Sequence, residues 1–137
     1  MFELQGIDHV ALAVRDVERS AQWYIDILGF ARQHEGMWNG IPVFVGKDDA
    51  AVALFPVRDH EKASSAKAAA AGSTSHSRDV ARILHFALRA DRKNFLAAQE
   101  ELKRRGIRFD FQDHEVSHSI YFRDPDNHKI EITTYEL

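Results

Sequence analysis

The alternation of bulky apolar and smaller residues follows one pattern in two separate stretches of the chain. The stretch from Ile7 to Val14 reads IDHVALAV, and the stretch from Ile83 to Ala90 reads ILHFALRA. In both, a histidine is followed by a bulky apolar residue, an alanine and a leucine, which is typical of a β-strand with one packed face. The repetition predicts two copies of one structural module.

Each predicted strand is followed by the signals of a helix and a hairpin. An aspartate suited to N-capping precedes each helical stretch, and a glycine suited to a left-handed C-cap follows it. These four residues are Asp16, Gly29, Asp91 and Gly106. The spacing of apolar residues predicts helices over 17–28 and 92–105, and hairpins over 40–57 and 116–135 close the two halves. The sequence therefore predicts an α+β fold of two tandem βαβββ modules.

The two predicted modules cover residues 5–57 and 83–137 of a single domain, 1–137. Residues 58–82 between them do not fit the module pattern, because Ala, Ser, Lys and Gly dominate there. This composition favours a mobile linker, and a lid over a pocket is the alternative.

Three residues on the strands are candidate metal ligands. In the repeated strands the bulky residues are expected to pack on the helices, and they are Val10, Leu12, Val14, Leu84, Phe86 and Leu88. His9 and His85 occupy the same repeat position on the opposite face, and Glu131, between two isoleucines, takes that face in the last strand. A single strand histidine is more often an ordinary core residue. The matched pair, together with an enclosed carboxylate that needs a compensating charge, favours one metal site built from all three residues.

The donor set narrows the choice of metal without deciding it. Two imidazoles and one carboxylate form the facial triad that suits non-haem Fe(II) and leaves positions open for substrate. The same ligands also serve Zn²⁺, and oxygen-rich variants serve Mn²⁺. We therefore expect a divalent metal ion, with Fe(II) favoured.

The composition excludes several classes of function. The 137 residues are 45% hydrophobic and 28% charged with a formal net charge of −3, so nothing favours nucleic acid or anionic lipid as a partner. There is no cysteine, which excludes disulfides, thiolate metal sites and cysteine nucleophiles. The chain shows neither a signal-peptide pattern nor an apolar run of about 18 residues, so we expect a cytoplasmic protein.

Three stretches carry a resemblance to a known superfamily. They are IDHVALAVRDVERSAQWYIDILGF, ILHFALRADRKNFLAAQEELKRRGIRF and SIYFRDPDNHKIEI. They resemble the vicinal oxygen chelate superfamily, which includes glyoxalase I, bleomycin-resistance proteins, fosfomycin thiol transferases and extradiol dioxygenases. The resemblance implies a cupped mixed sheet with the helices on its outer face and a metal inside the cup, with His9, His85 and Glu131 at the ligand positions. It also implies a small-molecule substrate and a homodimer whose sites draw their ligands from one chain or from both.

The C-terminal segment is similar to the extradiol dioxygenase signature. His114, Ile120-Tyr121, Asp124-Pro125 and Glu131 carry the similarity. It implies that His114 and Tyr121 orient and polarise a catechol and its oxygen intermediates, and it makes a ring-cleaving dioxygenase the leading expectation. Gln112 and Asn127 depart from the signature, and Asn127 is still compatible with a left-handed turn. Tyr121 as a packing aromatic and His114 as a loop residue without a role remain open.

Two other function classes stay in consideration. One is a metal-dependent lyase or thiol transferase of the glyoxalase or fosfomycin-resistance kind, and the other is a resistance or binding protein with a vestigial site. Glyoxalase I has a second carboxylate in its first module. Aligning the repeats pairs Leu54 with Glu131, and leucine can neither bind a metal nor move a proton, so that reaction is disfavoured.

Overall fold

Within the residues that the structure describes, each half of the chain builds one four-stranded mixed sheet and one long helix. This computed structural model describes residues 1–57 and 80–137. The chain divides into two compact units, Met1–Arg82 and Ile83–Leu137. The predicted linker or lid at 58–82 lies almost entirely outside the described residues.

The first unit follows the order β-α-β-β-β. Its elements are β1 (Val10–Val14), α1 (Val17–Leu28), β2 (Ala31–Gln33), a 3₁₀ turn (Trp38–Gly40), β3 (Val43–Lys47) and β4 (Ala50–Pro56). The strand order in the sheet is β1-β4-β3-β2. The β1–β4 pair is parallel, because α1 and the hairpin carry the chain back to the same end, and the other pairs are antiparallel.

The second unit repeats this arrangement. Its elements are β5 (Phe86–Arg89), α2 (Arg92–Arg104), β6 (Asp110–Asp113), β7 (His118–Arg123) and β8 (Lys129–Thr134). The strand order is β5-β8-β7-β6, again with one parallel pair, β5–β8. The predicted α+β fold of two tandem βαβββ modules is confirmed.

Local signals position both helices as the sequence predicts. The Asp16 carboxylate accepts a hydrogen bond from the third backbone N–H of α1 at 3.1 Å, and Asp91 does the same for α2 at 2.7 Å. Gly29 ends α1 in the left-handed conformation with φ 68°. The second helix ends at Arg104, one residue before the predicted end, and Gly106 beyond it has φ 69°.

The core of each unit lies between its helix and one face of its sheet. The buried apolar residues include Leu12, Val14, Ala21, Tyr24, Val45, Val52 and Leu54 in the first unit and Phe95, Leu102, Ile120, Phe122, Ile130 and Ile132 in the second. Side chains alternate between the two faces of a strand, so the residues between the buried ones lie on the opposite face. The expectation that Ile130 and Ile132 pack is confirmed.

The repeated strands begin three residues later than the predicted stretches, which start at Ile7 and Ile83. Parallel pairing starts at Val10 with Val52 and at Phe86 with Ile130, so His9 and His85 each precede a strand. The expectation that Leu84 packs on the helix is wrong. Leu84 lies outside β5 and is 68% exposed, since no paired strand holds its side chain toward the core.

The strand register also corrects which residue of the first module is equivalent to Glu131. In the second unit Ala87 is paired with Glu131, and in the first unit the matching Ala11 is paired with Ala53. The expected counterpart, Leu54, instead lies on the packed face and is fully buried. Alanine offers neither a ligand nor a base, so the first module still lacks a second carboxylate at this position.

In the part of the chain that the structure describes, no helix combines the length and the apolar character needed to cross a bilayer.

Candidate metal centre

The hairpin of β7 and β8 builds a polar face on the second unit. Tyr121 is paired with Glu131, and Ser119 is paired with Thr133. Directly opposite residues of two strands point to the same side of a sheet. All four side chains therefore share the face opposite to the one that packs Ile130.

Glu131 is buried on this face and bonded through both carboxylate oxygens. Its residue exposure is 8%. Oε2 lies 2.9 Å from Nε2 of His85, and Oε1 accepts a hydrogen bond from Oγ of Ser119 at 2.6 Å. An enclosed carboxylate needs such partners, because burial without them costs several kcal/mol. The parallel pairing of β5 with β8 brings together two of the three predicted ligands.

Ser119 is a site residue that the sequence analysis missed. Its side chain is fully buried, and Oγ also lies 3.0 Å from Oγ1 of Thr133. A serine has one hydroxyl proton, and the shorter bond, to the charged Glu131, takes it. The Thr133 hydroxyl, whose Oγ1 also lies 3.4 Å from the backbone oxygen of His118, completes a chain of hydroxyls from Thr133 through Ser119 to Glu131. Only the alternation of 119 with 121 on one strand face could have pointed to Ser119.

Tyr121 and His114 form the second polar pair. The Tyr121 hydroxyl lies 3.0 Å from Nε2 of His114, and the Tyr121 ring contacts the edge of His85 with centroids 5.6 Å apart. Nζ of Lys129 lies 4.8 Å from the Tyr121 ring centroid. Burial raises the pKa of Tyr121, and the negative charge of Glu131 raises it further, so the phenol keeps its proton at neutral pH.

His9, the third predicted ligand, belongs to the first unit. Its Nδ1 lies 2.8 Å from Oδ2 of Asp8, which leaves Nε2 as the nitrogen suited to a metal. Its ring contacts the edge of Phe44 at 5.1 Å. Phe44 is paired with Ala53 as Tyr121 is paired with Glu131, so the first module has apolar residues at both equivalent positions.

The donor atoms of the second unit fit a metal ion. Ligands bound to one ion at about 2.0–2.2 Å each lie about 3 Å apart when they occupy neighbouring positions. The 2.9 Å between His85 and Glu131 matches that separation. Within the described residues of the chain, no group of three or more His, Asp or Glu side chains gathers as a complete metal cage. The joint participation of His9, His85 and Glu131 in one metal site stays a prediction.

Known proteins resemble this chain over both of its modules. One curated relative is the catechol-2,3-dioxygenase of Bacillus subtilis (strain 168), 29% identical over 134 residues that cover 92% of this chain and 40% of that protein. The chain thus spans well under half the length of this relative.

Solved structures share the fold at low sequence identity. The lactoylglutathione lyase from Agrobacterium tumefaciens superposes with a TM-score of 0.69 at 18% identity, covering 96% of this chain and 94% of that chain. The fosfomycin resistance protein FosX from Mesorhizobium loti gives a TM-score of 0.62 at 21% identity, covering 98% and 96%. At such identities the likeness concerns the fold alone.

The family comparison covers nearly the whole chain. The family model described as Glyoxalase/Bleomycin resistance protein/Dioxygenase superfamily matches residues 6–132, a span that covers most of both βαβββ modules and includes all three candidate ligands. The chain belongs to the Glyoxalase/Bleomycin resistance protein/Dioxygenase superfamily.

Proposed function

We propose that this chain is a metal-dependent, ring-cleaving dioxygenase of the extradiol type, acting on a catechol-like substrate. In this proposal His9, His85 and Glu131 hold the metal. The observation that carries it is the close pair of His85 and buried Glu131, 2.9 Å apart, beside the hydrogen-bonded pair of Tyr121 and His114. The relative named catechol-2,3-dioxygenase supports the same reaction class.

The bound ion, Fe(II) in the first place and Mn²⁺ or Zn²⁺ as alternatives, would supply a Lewis acid for two adjacent substrate oxygens and, as iron, a centre that activates O₂. Glu131 contributes the negative charge that a divalent ion needs, and Ser119 holds its Oε1 in place. The reaction breaks one ring carbon–carbon bond next to the diol. Both atoms of O₂ enter the product, so no further reductant is needed.

Tyr121 and His114 are the proposed catalytic residues. The Tyr121 hydroxyl can donate a hydrogen bond to a substrate oxygen, and its contact with His114 lets it take part in proton transfer. His114, 3.0 Å away, can accept a proton at Nε2 and return it. The two groups together can orient the diol and move one proton.

The lyase alternative has less support in the geometry. A glyoxalase-type proton transfer uses a second carboxylate in the first module, and the position paired with Ala11 is occupied by Ala53. A thiol transferase and a binding protein with a vestigial site remain alternatives. The proposed assembly is a homodimer, with the ligands of each site taken from one chain or from both.

The direct test combines metal analysis with turnover. The full chain, loaded anaerobically with Fe(II), is mixed with catechol in air, while the yellow ring-opened product and O₂ uptake are followed. We expect one O₂ per product, and loss of turnover in His85→Gln but not in the exposed control Gln22→Ala. Metal binding without O₂ uptake on any of a panel of substituted catechols would refute the dioxygenase. Absence of bound metal under every loading condition would refute a metal enzyme altogether.

A further inference from the structure

Three basic residues surround a cavity of the second unit next to Tyr121. The cavity has a volume of about 230 Å³, and Arg108, Arg123 and Lys129 line it together with Tyr121 and Asp110. A cavity of about 150 Å³ can hold a benzene molecule, so this one has room for a ring substituent or for part of a ring.

The strand register places these cations beside the proposed site. Arg123 is paired with Lys129, and the next pair on the same face is Tyr121 with Glu131. Residues two apart on a strand lie on one face at a distance of about 6.5–7 Å along it. The pair of Arg123 and Lys129 therefore lies next to the pair of Tyr121 and Glu131 on the same face, two residues away along each strand.

The charge of the lining is strongly positive. Asp110 is the one carboxylate in it against three cations. The cations are held by contacts that leave their charge in place: Lys129 lies over the Tyr121 ring, and Arg123 donates a hydrogen bond to the backbone oxygen of Asn127 at 3.0 Å. An anion entering the cavity would find three charged donors, and hydrogen bonds to a charged partner are shorter and stronger than neutral ones.

We propose that this cavity binds the anionic substituent of the substrate, so that the preferred substrate is a catechol bearing a carboxylate. The inference rests on the proposed function, because it places the diol at His85 and Glu131 and the carboxylate at Arg108, Arg123 and Lys129. Lys129 belongs both to the surroundings of the proposed diol site and to the cavity, since it contacts Tyr121 and also lines the cavity. These cations then determine which catechols the site selects.

The test compares two ligands that differ by one charge. Binding of 3,4-dihydroxybenzoate and of its neutral methyl ester to the Fe(II)-loaded chain is measured by anaerobic calorimetry. We expect the acid to bind about tenfold more tightly than the ester, as a hydrogen bond to a charged group implies. The preference should shrink as salt is raised, because exposed charges are screened.

Variants locate the preference in the cavity. Lys129→Gln and Arg108→Gln should each reduce the acid-over-ester preference by about threefold or more, while Lys93→Gln, which removes an exposed cation of α2, should leave it unchanged. Circular dichroism checks that each variant is folded. An equal or tighter affinity of the wild-type protein for the ester would overturn the inference without any variant.

The outcomes separate this inference from the proposed function. Cleavage of catechols with no acid preference in binding would overturn the carboxylate site and leave the dioxygenase standing. An acid preference that falls in the Lys129 and Arg108 variants, with no ring cleavage, would keep the site and refute the dioxygenase. Inorganic phosphate serves as a competitor. If it displaces the acid more effectively than benzoate does, the cavity selects free anions and the inference fails.

Discussion

The hydroxyl of Ser119 donates a hydrogen bond of 2.6 Å to Oε1 of Glu131 from a fully buried position. This bond occupies one carboxylate oxygen and leaves the other, Oε2, directed at His85. A carboxylate held in this way loses little rotamer freedom on binding a metal. Partners of this kind, outside the ligands themselves, typically contribute 10–100-fold to metal affinity.

Ser119→Ala should therefore weaken metal binding by about 10-fold or more while the protein stays folded. The change removes the donor to Glu131 and leaves the Thr133 hydroxyl without its neighbour at 3.0 Å. Competition with a chelator of known affinity gives the dissociation constant. Ser117→Ala is the matched control, because Ser117 is also buried at 6% exposure and lies outside this chain of hydroxyls. Equal losses of metal affinity in the two variants would show that the Ser119 hydroxyl has no special role in holding Glu131.

Glu131→Gln should abolish most of the stabilisation by metal. An amide is a poorer ligand than a carboxylate and cannot neutralise a divalent ion, so the rise in melting temperature on adding Fe(II), Mn²⁺ or Zn²⁺ should largely disappear. In EDTA the variant should be as stable as the wild type or more stable, because no buried charge remains. Glu100→Gln on the exposed face of α2 is the control. The ligand assignment fails if metal raises the melting temperature of both variants equally.

Tyr121→Phe should lower turnover without affecting metal binding. The ring contact with His85 remains, and only the hydroxyl that bonds to His114 is lost. General acid–base groups typically contribute about 10²–10⁴-fold to rate, so kcat on catechol should fall within that range. Tyr135→Phe, at a position 57% exposed, is the matched control. An unchanged kcat would make Tyr121 a packing residue of the strand.

His128 should contribute a pH-dependent share of stability. Its Nδ1 lies 2.8 Å from Oδ2 of Asp124, and this bond raises the pKa of His128 while partial burial opposes the increase. A raised folded-state pKa means that the contribution is complete below the unfolded value, about 6.5, and is lost as the pH rises through the folded value.

The measurement is the free energy of unfolding of the wild type and of His128→Gln from pH 5 to 9. The difference between them should be largest at the acidic end and should shrink with increasing pH. A difference that grows toward pH 9 would have the wrong sign and would exclude this pair as the cause.

Light scattering should show a two-fold dimer at micromolar concentration, with twice the 15.6 kDa mass of one chain. The residues before β1 and β5 carry large exposed apolar side chains, with Ile7 at 82% and Ile83 at 83% exposure. Two copies that pair their modules would cover such surface together with the open sheet edges. A monomer under these conditions would contradict the idea of sites shared between chains.

Local features of this protein could be predicted from the sequence because their causes are local. The aspartate caps at Asp16 and Asp91 act through hydrogen bonds within one helical turn, and Gly29 ends α1 through its own φ. The alternation around Ile130 identified the packed face of β8, since strand geometry sends successive side chains to opposite sides. Because these signals occur twice in the chain, they were enough to predict the two modules.

The relationships between strands were decided only by the tertiary structure. The alignment of the repeats pointed to Leu54, whereas the parallel register with β1 places Ala53 at the position equivalent to Glu131. The alternation of apolar and polar residues does not determine this register. A shift of the pairing by one residue leaves the local sequence pattern intact and reverses the face that each side chain takes. For the same reason Ser119 looked like an ordinary strand residue. Its bond to Glu131 exists because the β7–β8 register brings together two residues that are 12 apart in the chain.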